Sequence, residues 1–131
     1  MAAPFPSCDR PGMRPEQMRV YQVVAELGRL FVQILSEPIP KRARYVAGHI
    51  RRSLESAGLN LSEGLTEFAP KVKATAFGIS RKELGELKKG LSRFDDMKVR
   101  PSVLLRKGGE LADCAIGMLT VMIKQQEERE A

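Results

Sequence analysis

Apolar residues recur along this chain at intervals of three and four, the repeat that places them on one side of an α-helix. The first stretch holds Val20, Val23, Val24, Leu27, Leu30, Phe31, Ile34 and Leu35, and predicts an amphipathic helix over about 16–36. "SEPIPK" ends it, because Pro38 and Pro40 disfavour helix at themselves and at the residue before. Val46, Ile50, Leu54, Ala57 and Leu61 predict a second helix over about 41–63, with Gly64 suited to the left-handed position just past its end. A third helix, over about 70–95, carries Phe77, Ser80, Leu84, Leu87, Leu91 and Phe94, whose alternating spacing is a bundle seam. The fourth, over about 101–124, opens with Pro101 and shows Leu104, Leu111, Ala115, Met118 and Met122. Cys114, Ile116, Leu119 and Ile123 widen its apolar arc, so burial on more than one side is expected. Gly108 and Gly109 are placed to kink or fray its start, at about 1 kcal/mol each relative to Ala.

Four helices joined by short links predict an all-α, antiparallel up-down-up-down four-helix bundle over 16–124. Pro4, Pro6, Pro11, Pro15 and Gly12 make residues 1–15 an expected mobile tail, and 125–131 an expected polar, fraying end. At 131 residues the chain fills one domain. Hydrophobic residues make up 43% but aromatics only 5%, with no Trp, so the core must be built from Leu, Val, Ile, Ala and Met. The absence of an apolar run of membrane-spanning length argues against a membrane partner. Cys8 and Cys114 suggest neither a disulfide framework nor a metal site, and a reducing cytoplasm is the simplest home.

Ala74, Gly78 and Gly85 fall near one line of the third helix, away from its apolar seam. Two uses compete: surface glycines tolerated at a cost in helix stability, or an oligomer interface where a second backbone approaches closely. The broad apolar arc of the fourth helix favours the interface, and with it self-association.

Catalysis has little to work with. His49 is the single histidine, without triad or metal spacing around it, and Glu83 and Glu86 beside Arg81 and Lys82 suit surface ion pairing. No phosphate-cradling Gly-Lys-Ser/Thr loop, dinucleotide fingerprint or Cys/His cluster occurs. A protein without enzymatic activity or cofactor is expected.

Charge changes the picture more. The formal net charge is +6, the pI is near 9.6, and basic residues gather in three runs. The first holds Lys41, Arg42, Arg44, Arg51 and Arg52, and the second Lys71, Lys73, Arg81, Lys82, Lys88, Lys89 and Arg93. Lys98, Arg100, Arg106 and Lys107 follow in the third loop and beyond. Cations aimed at phosphates release counterions and give salt-sensitive binding, so the first two runs are the candidate nucleic-acid-binding residues. A solvated surface or an acidic protein partner is the competing use. The scarcity of aromatic platforms points away from base stacking and toward recognition of backbone or shape.

"HIRRSLESAGLNLSEG", at 49–64, resembles the second-helix signature of a small four-helix-bundle family named for proteins encoded in intervening sequences of bacterial 23S ribosomal RNA genes. Arg51, Arg52, Ser56, Asn60, Glu63 and Gly64 occupy the signature's places. "VYQVVAEL", with Tyr21, is similar to the family's first-helix start, "IPKRARYVAGHI" to its first loop, and "ISRKELGELKKGL" to its third-helix motif through Ile79, Leu84, Glu86 and Leu87. The resemblance covers about 18–122; Gly58 stands where Pro is usual and Glu83 where Ser is common. The superfamily includes the accessory variability proteins of diversity-generating retroelements. That branch implies a ring-like homopentamer that associates with a reverse transcriptase and its RNA or RNA–DNA intermediate; the other branch leaves a protein-interaction scaffold. Ser56, Asn60, Glu63 and Gly64 are read as helix punctuation and polar anchors, and Arg51 and Arg52 as the members freest to meet a partner.

Overall fold

The computed structural model describes residues 15–130, and within them the chain is four helices and one short 3-10 turn, without a strand. Of the tail predicted over 1–15, residues 1–14, Cys8 included, lie outside the described residues, as does the final residue, while Pro15 is already helical and the polar stretch expected to fray from 125 continues α4 to Glu130. Helix α1 spans Pro15–Leu35, α2 Arg44–Thr66, α3 Pro70–Asp96 and α4 Ser102–Glu130, with the 3-10 turn Lys41–Ala43 leading into α2. Pro70 stands in the first turn of α3, where a missing N–H costs nothing, and Pro101 lies just before α4 instead of opening it. The arrangement is a four-helix bundle.

The apolar stripes of α1, α2 and α3 bury as their spacing predicts. Leu27, Ile34, Ile50, Leu61, Phe77, Leu84, Leu87 and Phe94 are essentially without solvent contact. Helix α4 differs from its predicted seam by about one residue. Leu105, Ala112, Ala115, Leu119 and Met122 are buried, whereas Leu104, Leu111 and Met118 are only partly so and Cys114 is exposed. The larger side chains sit at the margin of the seam because its centre is narrow: Gly108 faces Leu91, Leu30 and Leu27, and a Cβ there would come 3.1 Å from Leu91 Cδ1. Gly108 therefore lets the helices close on one another, and α4 runs through both glycines without a break.

Gly64 likewise has a different task from the one predicted. It lies inside α2, which continues to Thr66 and ends on Glu67 in extended backbone. A Cβ at Gly64 would stand 2.5 Å from Phe77 Cε1, so the glycine is the seat of the Phe77 ring. The same pair of helices meets again where Ser80 Oγ donates a 2.8 Å hydrogen bond to the Ala57 carbonyl, and where Gly90 admits Ile50, whose Cγ1 would lie 2.7 Å from an added Cβ. Three close approaches along their length hold α2 and α3 together.

Two helix ends are closed by long cations. Arg100 donates from Nε to the Ile34 carbonyl at 2.6 Å and from Nη2 to that of Glu37 at 2.6 Å, satisfying carbonyls at the end of α1. Lys73 does the same for α2, as described below. Helix α3 ends instead on Lys98, the one non-glycine residue among those described with positive φ, at 58°. Below α4's end, Gln126 is buried and its Oε1 has no hydrogen-bond partner.

Gly64→Ala should lower stability by about 1–3 kcal/mol, because the Phe77 ring has to move within a packed core. Gly85→Ala, with nothing within 4 Å of the added methyl, should raise it by about 0.5–1 kcal/mol. Urea unfolding of the two variants checks both signs.

Candidate nucleic-acid interface

Helical geometry divides the twelve predicted nucleic-acid-binding cations among different surfaces. From Arg42 in the 3-10 turn into α2, Tyr45, His49, Arg52, Ser56, Asn60 and Glu63 follow in steps of three and four and share the flank that meets α3. Along α3, Lys71, Val72, Thr75, Ile79, Lys82, Glu86, Lys89 and Arg93 form the matching flank. Two clefts of about 280 Å³ lie on this side. One is lined by Asn60, Glu63, Lys71, Val72, Thr75, Ala76 and Ile79, and the other by Tyr45, Val46, His49, Glu86, Lys89, Gly90 and Arg93. Arg42 is tied to the end of α3, its Nη1 donating to the Met97 carbonyl at 3.3 Å.

Arg42, Arg52, Lys71, Lys82, Lys89 and Arg93 are thus on one side of the α2–α3 pair and exposed. Neighbouring acids offset them only in part: Lys89 pairs with Glu86 at 3.5 Å, an exposed contact worth at most a few tenths of a kcal/mol. Neither α2 nor α3 has an acidic residue in its first turn, so their N-terminal partial charges add to the positive field.

Arg51 and Arg52 do not act from one surface. A step of 100° sends Arg51, with Arg44, to the flank toward α1, while Arg52 lies back over Gly48 on the α3 side. Lys41 is exposed in the 3-10 turn before α2. Arg81 and Lys88 turn toward α4, Arg81 donating to Thr120 Oγ1 at 3.3 Å and Lys88 forming an ion pair with Asp113.

Lys73 corrects the sequence reading. Only 8% of it is exposed, its Nζ donates to the carbonyls of Gly64 at 2.7 Å and Glu67 at 3.1 Å, and it lies 5.5 Å from the centre of the Phe77 ring. A cation committed to closing α2 is not presented to a phosphate. Arg100, half-buried, is likewise engaged with backbone carbonyls. Asn60 is half-buried and finds its partners within its own helix, its Nδ2 donating to the Ser56 carbonyl at 2.9 Å and to Ser56 Oγ at 3.3 Å. Glu63 is exposed and has no ion pair among the described residues.

The small residues Ala74, Gly78 and Gly85 run along the α4 side of α3, in line with Arg81 and Lys88. Added methyls at Gly78 and Gly85 would meet nothing within 4 Å. A larger groove, about 470 Å³, separates α1 from α2 and is lined by Tyr21, Val24, Ala25, Gly28, Leu54, Glu55, Gly58, Leu59, Leu61 and Ser62. No group of three or more His, Cys, Asp or Glu among the described residues is placed to hold a metal ion, and no described helix is long and apolar enough to cross a membrane.

Sequence reasoning passed over Tyr45 and weighed His49 only for catalysis or metal binding, and the fold brings both beside Lys89 and Arg93. Their spacing of four from each other on a basic helix was the available signal. Comparison with known proteins yields no matching family model and no matching curated protein.

Lys73→Ala should cost about 1–3 kcal/mol of stability, since it uncaps buried carbonyls. It should leave the salt dependence of any polyanion binding unchanged. Chemical unfolding and a binding titration on the same variant check both halves.

Proposed function

We propose that this protein is a non-enzymatic, basic helical bundle that binds structured RNA or an RNA–DNA intermediate through the α2–α3 face. The observation that carries the proposal is the gathering of Arg42, Arg52, Lys71, Lys82, Lys89 and Arg93 on one exposed side, with little acid among them. Such a surface neutralises phosphates by charge and shape, whatever their sequence.

The finer architecture belongs to the same proposal. Contacts of Gly64 with Phe77, Ala57 with Ser80 and Ile50 with Gly90 support α2 and α3 running in opposite senses, as an up-down-up-down bundle requires. The resemblance to the 23S intervening-sequence family and its retroelement accessory branch supports a cytoplasmic ring-like homo-oligomer, pentameric in that branch, that docks a reverse transcriptase. Ala74, Gly78 and Gly85 are then the interface residues, consistent with the open space over both glycines. The second reading, a protein-interaction scaffold of the same family without nucleic-acid binding, draws on the apolar groove between α1 and α2.

A labelled RNA hairpin titrated across a salt series tests the proposal. Arg51→Ala with Arg52→Ala should weaken binding several-fold and flatten the slope of log K against log salt by roughly 0.8, the share of the one phosphate contact that Arg52 makes, with unfolding unchanged. Arg52→Ala should account for more of the loss than Arg51→Ala, because Arg52 shares the α3-side face. Absence of binding at low salt overturns the proposal, and equal loss of folding and binding removes the pair's assignment.

A further inference from the structure

We propose that the cleft formed by Tyr45, His49, Lys89 and Arg93 is a nucleotide pocket, in which an unpaired base stacks on Tyr45 and its phosphate meets Lys89 and Arg93. The inference rests on the nucleic-acid reading and goes further, naming the unit bound and the residues that hold it.

Shape is the first argument. Gly90 allows α2 to approach α3 closely enough that an added Cβ would lie 2.7 Å from Ile50 Cγ1 and 3.4 Å from His49 Cδ2. That approach forms the floor of the cleft, and Val46 and Gly90 keep it apolar while the walls are polar. Its volume, about 280 Å³, suits one planar base, which does not need to be enclosed when its phosphate remains in solvent.

The second argument is the state of the walls. Tyr45 is 74% exposed, although a tyrosine ring normally finds apolar cover in a small bundle. It stands at the mouth of the cleft with no hydrogen bond among the described residues, leaving a ring face for stacking. The side chains of Arg93 and His49 are likewise without an ion pair or hydrogen bond among the described residues. Lys89 holds only its exposed contact with Glu86, and Glu86 supplies the pocket's one carboxylate, an acceptor for an N–H on the edge of a base, such as the ring N3–H of uracil.

Charge supplies the third. Lys89 and Arg93 are one helical turn apart on α3 and both are exposed, and Arg42 adds a further cation at the same end, where it bonds the Met97 carbonyl. An aromatic platform with two or three cations beside it is the arrangement that binds single strands, through stacking and backbone neutralisation together. The other cleft on this side is lined by Val72 and Ile79 where this one has Tyr45 and His49.

The chain contains two tyrosines and no tryptophan, so Tyr21→Phe leaves Tyr45 as the single fluorophore. In that background, a labelled hexauridylate and a fully paired RNA hairpin are titrated separately, following anisotropy and tyrosine emission. The hexamer should bind and quench Tyr45 emission saturably. Tyr45→Ala should weaken hexamer binding about tenfold, Tyr45→Phe should restore it, and Arg93→Ala should weaken it with a reduced salt slope. Hexamer binding that leaves emission unchanged, or that is equal in Tyr45→Ala and wild type, overturns the pocket. Hairpin binding without hexamer binding overturns the pocket and leaves the proposed function standing. Hexamer binding with quenching but no hairpin binding supports the pocket and removes the structured-RNA reading. Failure of both RNAs at low salt overturns both.

Discussion

The seat of Phe77 on Gly64 is the contact on which the arrangement of the molecule depends. With the ring pressed to the α2 backbone, at a distance no side chain at that position would permit, the two helices meet near the end of α2. Ser80 on the Ala57 carbonyl and Gly90 on Ile50 continue the meeting along the pair. A helix pair fixed at three places presents its outer residues in a set register, which is how cations separated by dozens of residues in sequence come to share one face. Helix packing by close backbone approach thus determines the electrostatics, through residues that carry no charge.

The basic residues divide by their surroundings into two kinds. Lys73 and Arg100 are spent on carbonyl oxygens at the ends of α2 and α1, where a cation answers both the unsatisfied acceptors and the negative end of the helix. Neither end has the left-handed glycine that usually does this work. Arg52, Lys82, Lys89 and Arg93 remain toward solvent, where screening over about 8 Å at physiological ionic strength makes them act on a ligand at contact and not at long range, and Arg42 stands between the two kinds, exposed but donating to the Met97 carbonyl at the end of α3. Net charge alone does not distinguish the two kinds.

The three-and-four spacing of apolar residues made the helices and most of the core legible, because burial of one stripe is what a helix in a bundle must achieve. Gly64 and Gly108 were misread because a glycine has two uses, left-handed backbone and close approach, and only the neighbouring helix decides between them. The seam of α4 was displaced for the same reason: counting large side chains misses a centre made of Gly108 and Ala112. The candidate site was legible as composition and not as geometry. A run such as Arg51-Arg52 looks like one unit in sequence, yet a 100° step per residue places its members on opposite flanks of α2. Tyr45 gives no signal by itself in the sequence, because only α3 brings Lys89 and Arg93 beside it.

The central claim is that the α2–α3 face, and not the rest of this basic surface, meets the polyanion. Amine acetylation with and without a saturating RNA hairpin, mapped residue by residue, tests it directly. Protection of Lys82 and Lys89, with Lys107 and Lys124 on α4 unchanged and Lys73 unreactive throughout, is the predicted result. Protection of Lys107 and Lys124 while Lys82 and Lys89 stay reactive would contradict the account.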